Sequence, residues 1–170
     1  MQELLYWHFL FYCSQSSDKV KINLLKGRLG NHRFHMMLVH FPGALYPFTL
    51  LLDILWWITE NPEFGFAARY SLIGAISMGV VAMIYGINDL VQIDPKSRAW
   101  KIAGIHALLN ACWFVAYSSL LFYRMKHQDF SMGWSYLSIM SLTTAGLFYS
   151  NYLGAELVIN HKVGISESES

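Results

Sequence analysis

Four apolar runs follow one another between residues 36 and 159, separated by short polar breaks. The first extends from about Met36 to Thr59 and stops before Asn61-Pro62, where proline disfavours helix in the residue ahead of it. The second covers about Arg69 to Ile93 and closes at Asp94-Pro95; the third covers about Ile102 to Met125, and the fourth about Met132 to Ile159. A helix needs about 20 apolar residues to cross the hydrocarbon layer, so the pattern predicts four transmembrane helices. The breaks between them are short, which makes neighbours antiparallel. The expected fold is all-α: an integral membrane, up-down four-helix bundle.

The flanks differ from this core. The run Leu4–Cys13 is apolar but too short to span, and reads as an interfacial or partner-docking helix. Residues 14–34 are polar and basic, with Gly27 and Gly30 as breaks. Residues 1–33 are therefore expected to form an N-terminal amphipathic arm, and residues 34–165 the transmembrane domain. The acidic tail 166–170 is expected to be disordered. The first residues lack a basic n-region, and no small-x-small cleavage pattern follows, so no signal peptide is expected. No internal sequence repeat stands out.

Composition supports the membrane reading: 55% of the residues are hydrophobic and 14% charged, against about 25% charged in soluble domains. A net charge of +1 gives no basic face for nucleic acid. The two cysteines, Cys13 and Cys112, form no CxxC spacing, and Cys112 reads as a small core residue. No nucleophile–base pair or nucleotide loop is present, so the chain is expected not to be an enzyme.

Basic residues set the orientation. Lys19, Lys21, Lys26, Arg28, Arg33, Lys96, Arg98, Lys101 and Lys162 fall on one face; Arg69, Arg124 and Lys126 fall on the other. Both termini are expected on the cytoplasmic side of a bacterial inner or photosynthetic membrane.

Small residues mark the packing faces. Ala75, Gly79, Ala82 and Gly86 form one stripe on the second run, and its next position is Asp89. Ala103, Ala107 and Ala111 form another on the third, beside a polar stripe of His106, Asn110, Trp113 and Tyr117. Gly146, Ser150 and Gly154 continue to Leu157 and His161 on the fourth. In this topology His35, His40, His106 and His161 come to one cytoplasmic-side layer with Asp89, Asn110 and Glu156. Asp53 stands apart, about 20 Å deeper than His40 at 1.5 Å per residue.

Ionisable groups inside a membrane usually face the bundle interior, and clustered imidazoles suggest a ligand. The plain alternative is that His35 and His161 sit among headgroups and that His40 and His106 make interhelical hydrogen bonds. Asp89 would then pair with a nearby Lys or Arg, and Asp53 with a tyrosine or a loop amide.

The segment Phe34-His35-Met36-Met37-Leu38-Val39-His40-Phe41-Pro42 resembles the opening of domain-of-unknown-function family 2231, a family of small bacterial membrane proteins. The likeness continues in Leu51-Leu52-Asp53, Gly86-Ile87-Asn88-Asp89-Leu90, His106-Ala107-Leu108-Leu109-Asn110, Leu153-Gly154-Ala155-Glu156 and His161-Lys162-Val163-Gly164, in the family's order. The resemblance implies a four-helix membrane unit related to b-type cytochromes, with His35, His40, His106 and His161 as the family's histidines. The chain departs from the pattern at Met36, where the family has proline, at Ala155, where it has glycine, and at Lys162. The last change sets a cation beside His161 and weakens it as a ligand.

Four functions compete. A haem-b-binding electron-transfer subunit of a respiratory or photosynthetic complex needs two axial ligands on facing helices. His40 with His106 is the first candidate pair, and His35 with His161 the second. A structural or pigment-associated subunit would use the histidines for chlorophyll-type magnesium or for lipid hydrogen bonds. A non-haem metal site would add Asp89 and Glu156. A transporter would relay protons through Asp53 and Asp89, but four spans without a repeat give it little support. Other membrane subunits and the bilayer are the expected partners.

Overall fold

The computed structural model describes residues 22–23, 28–29, 32–127 and 133–163. The expected arm helix over Leu4–Cys13 and the tail 166–170 lie outside the described residues. Three two-residue strands, β1 (Ile22–Asn23), β2 (Arg28–Leu29) and β3 (His32–Arg33), pair antiparallel in chain order. Five helices follow: α1 (Phe34–Leu38), α2 (His40–Thr59), α3 (Pro62–Leu90), α4 (Arg98–Lys126) and α5 (Trp134–Ile159). The described fold is therefore all-α apart from the small strands.

Local chemistry sets the helix starts beyond what hydropathy predicts. α3 begins well before the apolar run because the Asn61 side chain accepts from the Glu63 N–H at 3.0 Å and Pro62 occupies the first turn. α4 begins at Arg98 because Ser97 Oγ accepts from the Trp100 N–H at 3.1 Å. Between α2 and α3 the chain turns through Glu60, which is left-handed (φ 56°) and returns its N–H to Trp56 O at 2.8 Å. The first run is not one regular helix: it breaks at Val39, between α1 and α2.

Helix length and apolarity suit a bilayer. The α1–α2 run, α3 and α4 are 26, 29 and 29 residues long, and the most apolar 18-residue stretch of each has a mean hydropathy of 1.5, 1.8 and 1.5, enough to cross a membrane. At 1.5 Å per residue even the shortest spans about 39 Å, against about 30 Å of hydrocarbon. α5 also has 26 residues but falls outside that group, chiefly through Asn151 and Glu156; its buried face adds Thr143, Thr144 and Ser150. Polarity is inverted relative to a soluble protein. Ile58, Ile84, Leu108, Phe122 and Leu142 are exposed, while Thr49, Asp53, Asp89, Arg124 and Ser150 are buried. Apolar surface of this extent is stable against lipid and not against water.

α2 packs against α3 and α5, α4 packs against the same two helices, and α1 lies on α3. α2 and α4 thus meet across the middle, where the Tyr46 and Tyr117 rings stack at 3.8 Å with 11° between planes. The core is built around this stack, with Leu72, Ala75, Leu120, Tyr136, Met140 and Leu147.

The packing contains an internal repeat that the sequence reading missed. His35, Tyr46 and Asp53 recur at the spacing of Asp53 to Arg124, 71 positions later, as His106, Tyr117 and Arg124. The buried positions Ala68, Leu72, Ala75, Gly79, Ala82 and Asp89 of α3 recur in α5 as Tyr136, Met140, Thr143, Leu147, Ser150 and Leu157, each 68 positions on (150 less 82). Equivalent residues touch each other at the centre: Tyr46 on Tyr117, and Asp53 on Arg124. Residues meet their own counterparts only beside a two-fold axis, so the α1–α3 hairpin and the α4–α5 hairpin are related by a local pseudo-two-fold.

Candidate functional site

Where α1 meets the end of α3, a cavity of about 340 Å³ lies between the two hairpins. Its polar lining includes Arg33, His35, Tyr46, Asp89, His106 and Asn110, and most of the rest is apolar. The volume falls in the range of about 300–1,000 Å³ typical of small-molecule sites.

The two imidazoles are held in the same way, one by each hairpin. His35 Nδ1 donates to Ala82 O at 2.8 Å, and His106 Nδ1 donates to Ser150 O at 2.7 Å. Four residues beyond each carbonyl lies a glycine on which the ring rests. A Cβ at Gly86 would stand 2.9 Å from His35 Cε1, and one at Gly154 would stand 2.8 Å from His106 Cε1. A carbonyl can only accept, so Nδ1 carries a proton in both rings, and it is Nε2 that can offer a lone pair. Metal-ligating histidines are commonly fixed by this kind of second hydrogen bond.

Asn110, one turn along α4, closes the local network. Its Nδ2 donates to His106 O and to Ser150 Oγ, both at 2.9 Å. Those two bonds use both amide hydrogens, so the contact of the same nitrogen with His106 Nε2 at 3.2 Å has no hydrogen left to serve it. Asn110 therefore does not occupy the Nε2 lone pair, and His106 lines the cavity.

The remaining predicted site residues separate from this pair. His40 opens α2, is exposed, and has its Nδ1 3.3 Å from Met37 O. Five positions along a helix turn it by about 140°, so His35 and His40 face different ways, and the histidine that shares the cavity with His106 is His35. His161 is half-buried beyond the end of α5, and neither it nor Glu156 lines the cavity. The anticipated single layer thus resolves into two imidazoles inside and two outside. Asp89 is at the cavity, paired with Arg33 at 2.9 Å. Among the described residues no three His, Cys, Asp or Glu side chains converge to hold a metal ion.

Sequence reasoning also missed the far end of the axis. For Asp53 the expectation was a tyrosine or a loop amide, and the partner shown is an arginine, Arg124. Both side chains are fully enclosed. The guanidinium lies 5.5 Å from the Trp56 ring and 5.4 Å from that of Tyr136. The available signal was the matched spacing His35–Tyr46–Asp53 and His106–Tyr117–Arg124, which puts opposite charges at one position of the repeat.

The family model described as "Predicted membrane protein (DUF2231)" matches residues 31–167. The chain belongs to this family. The DUF2231 region therefore takes in Arg33 and every residue of the cavity, and most of the N-terminal arm precedes it. No curated protein and no solved structure matches the chain.

Proposed function

We propose that this DUF2231 protein is a haem-b-binding electron-transfer subunit of a larger membrane complex, in which His35 and His106 would hold the haem iron. The observation that carries the reading is the matched pair of imidazoles: one from each hairpin, both at one largely apolar cavity, both fixed through Nδ1 to a backbone carbonyl. The donor set fits the group. A haem iron already held by four pyrrole nitrogens asks the protein for two ligands, whereas a non-haem site asks for three or more. When bound, the haem supplies one-electron transfer. The chain's own part is to orient Nε2, exclude water and keep the site apolar, with no substrate chemistry of its own.

The reading includes an up-down four-helix bundle crossing the inner membrane four times, with α5 as the most polar span. Both termini lie in the cytoplasm. Discounting the two ion-paired arginines, Arg124 with Asp53 and Arg33 with Asp89, keeps the asymmetry: Arg69 and Lys126 count against eight basic residues on the other face. In right-side-out spheroplasts, external protease is expected to leave the N-terminal arm intact and to cut it only after lysis. Cutting before lysis overturns the orientation.

The haem assignment is tested by the absorption spectrum of the purified protein. A Soret band with reducible α-bands is expected, lost in His35→Ala and in His106→Ala but kept in His40→Ala. A preparation free of haem and of metal overturns the reading. A bound chlorophyll-type pigment, seen as long-wavelength bands insensitive to dithionite, would replace it with a pigment-associated subunit.

A further inference from the structure

The two imidazoles obey the pseudo-two-fold, but the charge at the cavity does not. Among the described residues, Arg33 and Asp89 are the only Arg, Lys, Asp or Glu that line it. Their counterparts in the second hairpin are Gly104, 71 positions after Arg33 (104 less 33), and Leu157, 68 positions after Asp89 (157 less 89). Whatever occupies the cavity therefore meets equivalent nitrogen donors from both hairpins and a charged group at one edge alone.

Arg33 and Asp89 meet through a single contact, Arg33 Nη1 to Asp89 Oδ1 at 2.9 Å, with 13% of each side chain exposed. A guanidinium has five N–H donors and binds carboxylates best through two parallel bonds. The observed pairing leaves that preferred geometry unused. A mostly enclosed Arg also needs an anion beside it, because an unpaired charge is costly to desolvate.

From these observations we infer that Asp89 holds the place of a ligand carboxylate, and that Arg33 exchanges it for the carboxylate of the incoming molecule. The inference rests on the function proposed above, under which the carboxylates are the porphyrin propionates. A haem carries both of them on one edge of a plane whose faces are otherwise open to two axial imidazoles. That is the same combination of paired nitrogen donors and one-sided charge. The role of Arg33 is to anchor and orient, not to ligate. No bond is made or broken beyond the exchange of one ion pair for another.

The exchange predicts opposite effects from the two partners of one salt bridge. In Arg33→Gln the ligand carboxylate loses its cation and faces Asp89 alone. In Asp89→Asn the competing carboxylate is gone and Arg33 is free for the ligand. A purely structural ion pair predicts the same sign for both, because either change breaks it.

The test is titration of the full-length protein in detergent with haemin and with haemin dimethyl ester, read from the Soret band. For haemin, Arg33→Gln is expected to weaken binding about tenfold or more, the scale of one charge-assisted hydrogen bond. Asp89→Asn is expected to tighten it several-fold. The ester, which has no free carboxylate, should bind the unaltered protein more weakly than haemin and lose the dependence on both variants. The ester comparison needs no variant, so a misfolded mutant does not remove the test. Equal binding of haemin and ester, or same-sign effects of the two variants, overturns the clamp and leaves the haem assignment standing. Displacement of haemin by phosphatidylglycerol reassigns Arg33 to a lipid headgroup and also overturns the clamp. Failure of the unaltered protein to bind either porphyrin overturns both.

Discussion

Replacing Arg124 with methionine is expected to destabilise the protein by roughly 3–5 kcal/mol, the cost of leaving one member of a buried ion pair without its partner. Asp53 is completely enclosed, and among the described residues its Oδ2 has no hydrogen-bond partner even with Arg124 present. The guanidinium is thus the hydrogen-bonding group shown serving that carboxylate. The double variant Asp53→Leu/Arg124→Met removes both charges and should recover most of the loss, since apolar replacements of buried pairs are often neutral or stabilising. Resistance to unfolding by SDS in mixed micelles measures each variant. Equal instability of the single and double variants would show that the pair matters through its packing against Trp56 and Tyr136 and not through charge.

The second large effect is expected at the two glycines beneath the imidazoles. Gly86→Ala sets a methyl 2.9 Å from His35 Cε1, and Gly154→Ala sets one 2.8 Å from His106 Cε1. Neither ring can retreat without losing its 2.7–2.8 Å bond to the carbonyl. Overpacking of this kind costs about 1–3 kcal/mol, and it falls on the ligand geometry as well as on stability. Each variant is expected to lose or broaden the Soret band, and the two should match because their surroundings match. Gly104→Ala is the control, because nothing lies within 4 Å of a Cβ built there. A normal spectrum in Gly86→Ala or in Gly154→Ala would separate the seat of the ring from the haem site.

The helices were legible because hydrophobic length is a signal summed over many residues, and one misread position barely changes it. The ends were less legible: Asn61 and Ser97 extend α3 and α4 through single hydrogen bonds that hydropathy does not register. The sequence reading placed His35 and His106 in one layer, and the two do line one cavity. The shared face was misjudged, because five positions turn a helix by about 140° and His35 and His40 therefore cannot both face the cavity. The repeat was hidden for a different reason. Its halves share burial and spacing more than residue identity, so Ala82 answers to Ser150 and Asp89 to Leu157. Arg33 was counted only as one of nine orienting charges, since its partner lies 56 positions away.

The salt bridge on the axis also determines which halves can recognise each other. If two copies of the α1–α3 hairpin paired in the observed manner, two Asp53 carboxylates would meet at the centre. Two copies of the α4–α5 hairpin would bring two Arg124 guanidiniums together. Both self-pairings set like charges in contact away from water, while the observed pairing joins opposite charges. At the axis this position makes each hairpin complementary to the other and incompatible with itself.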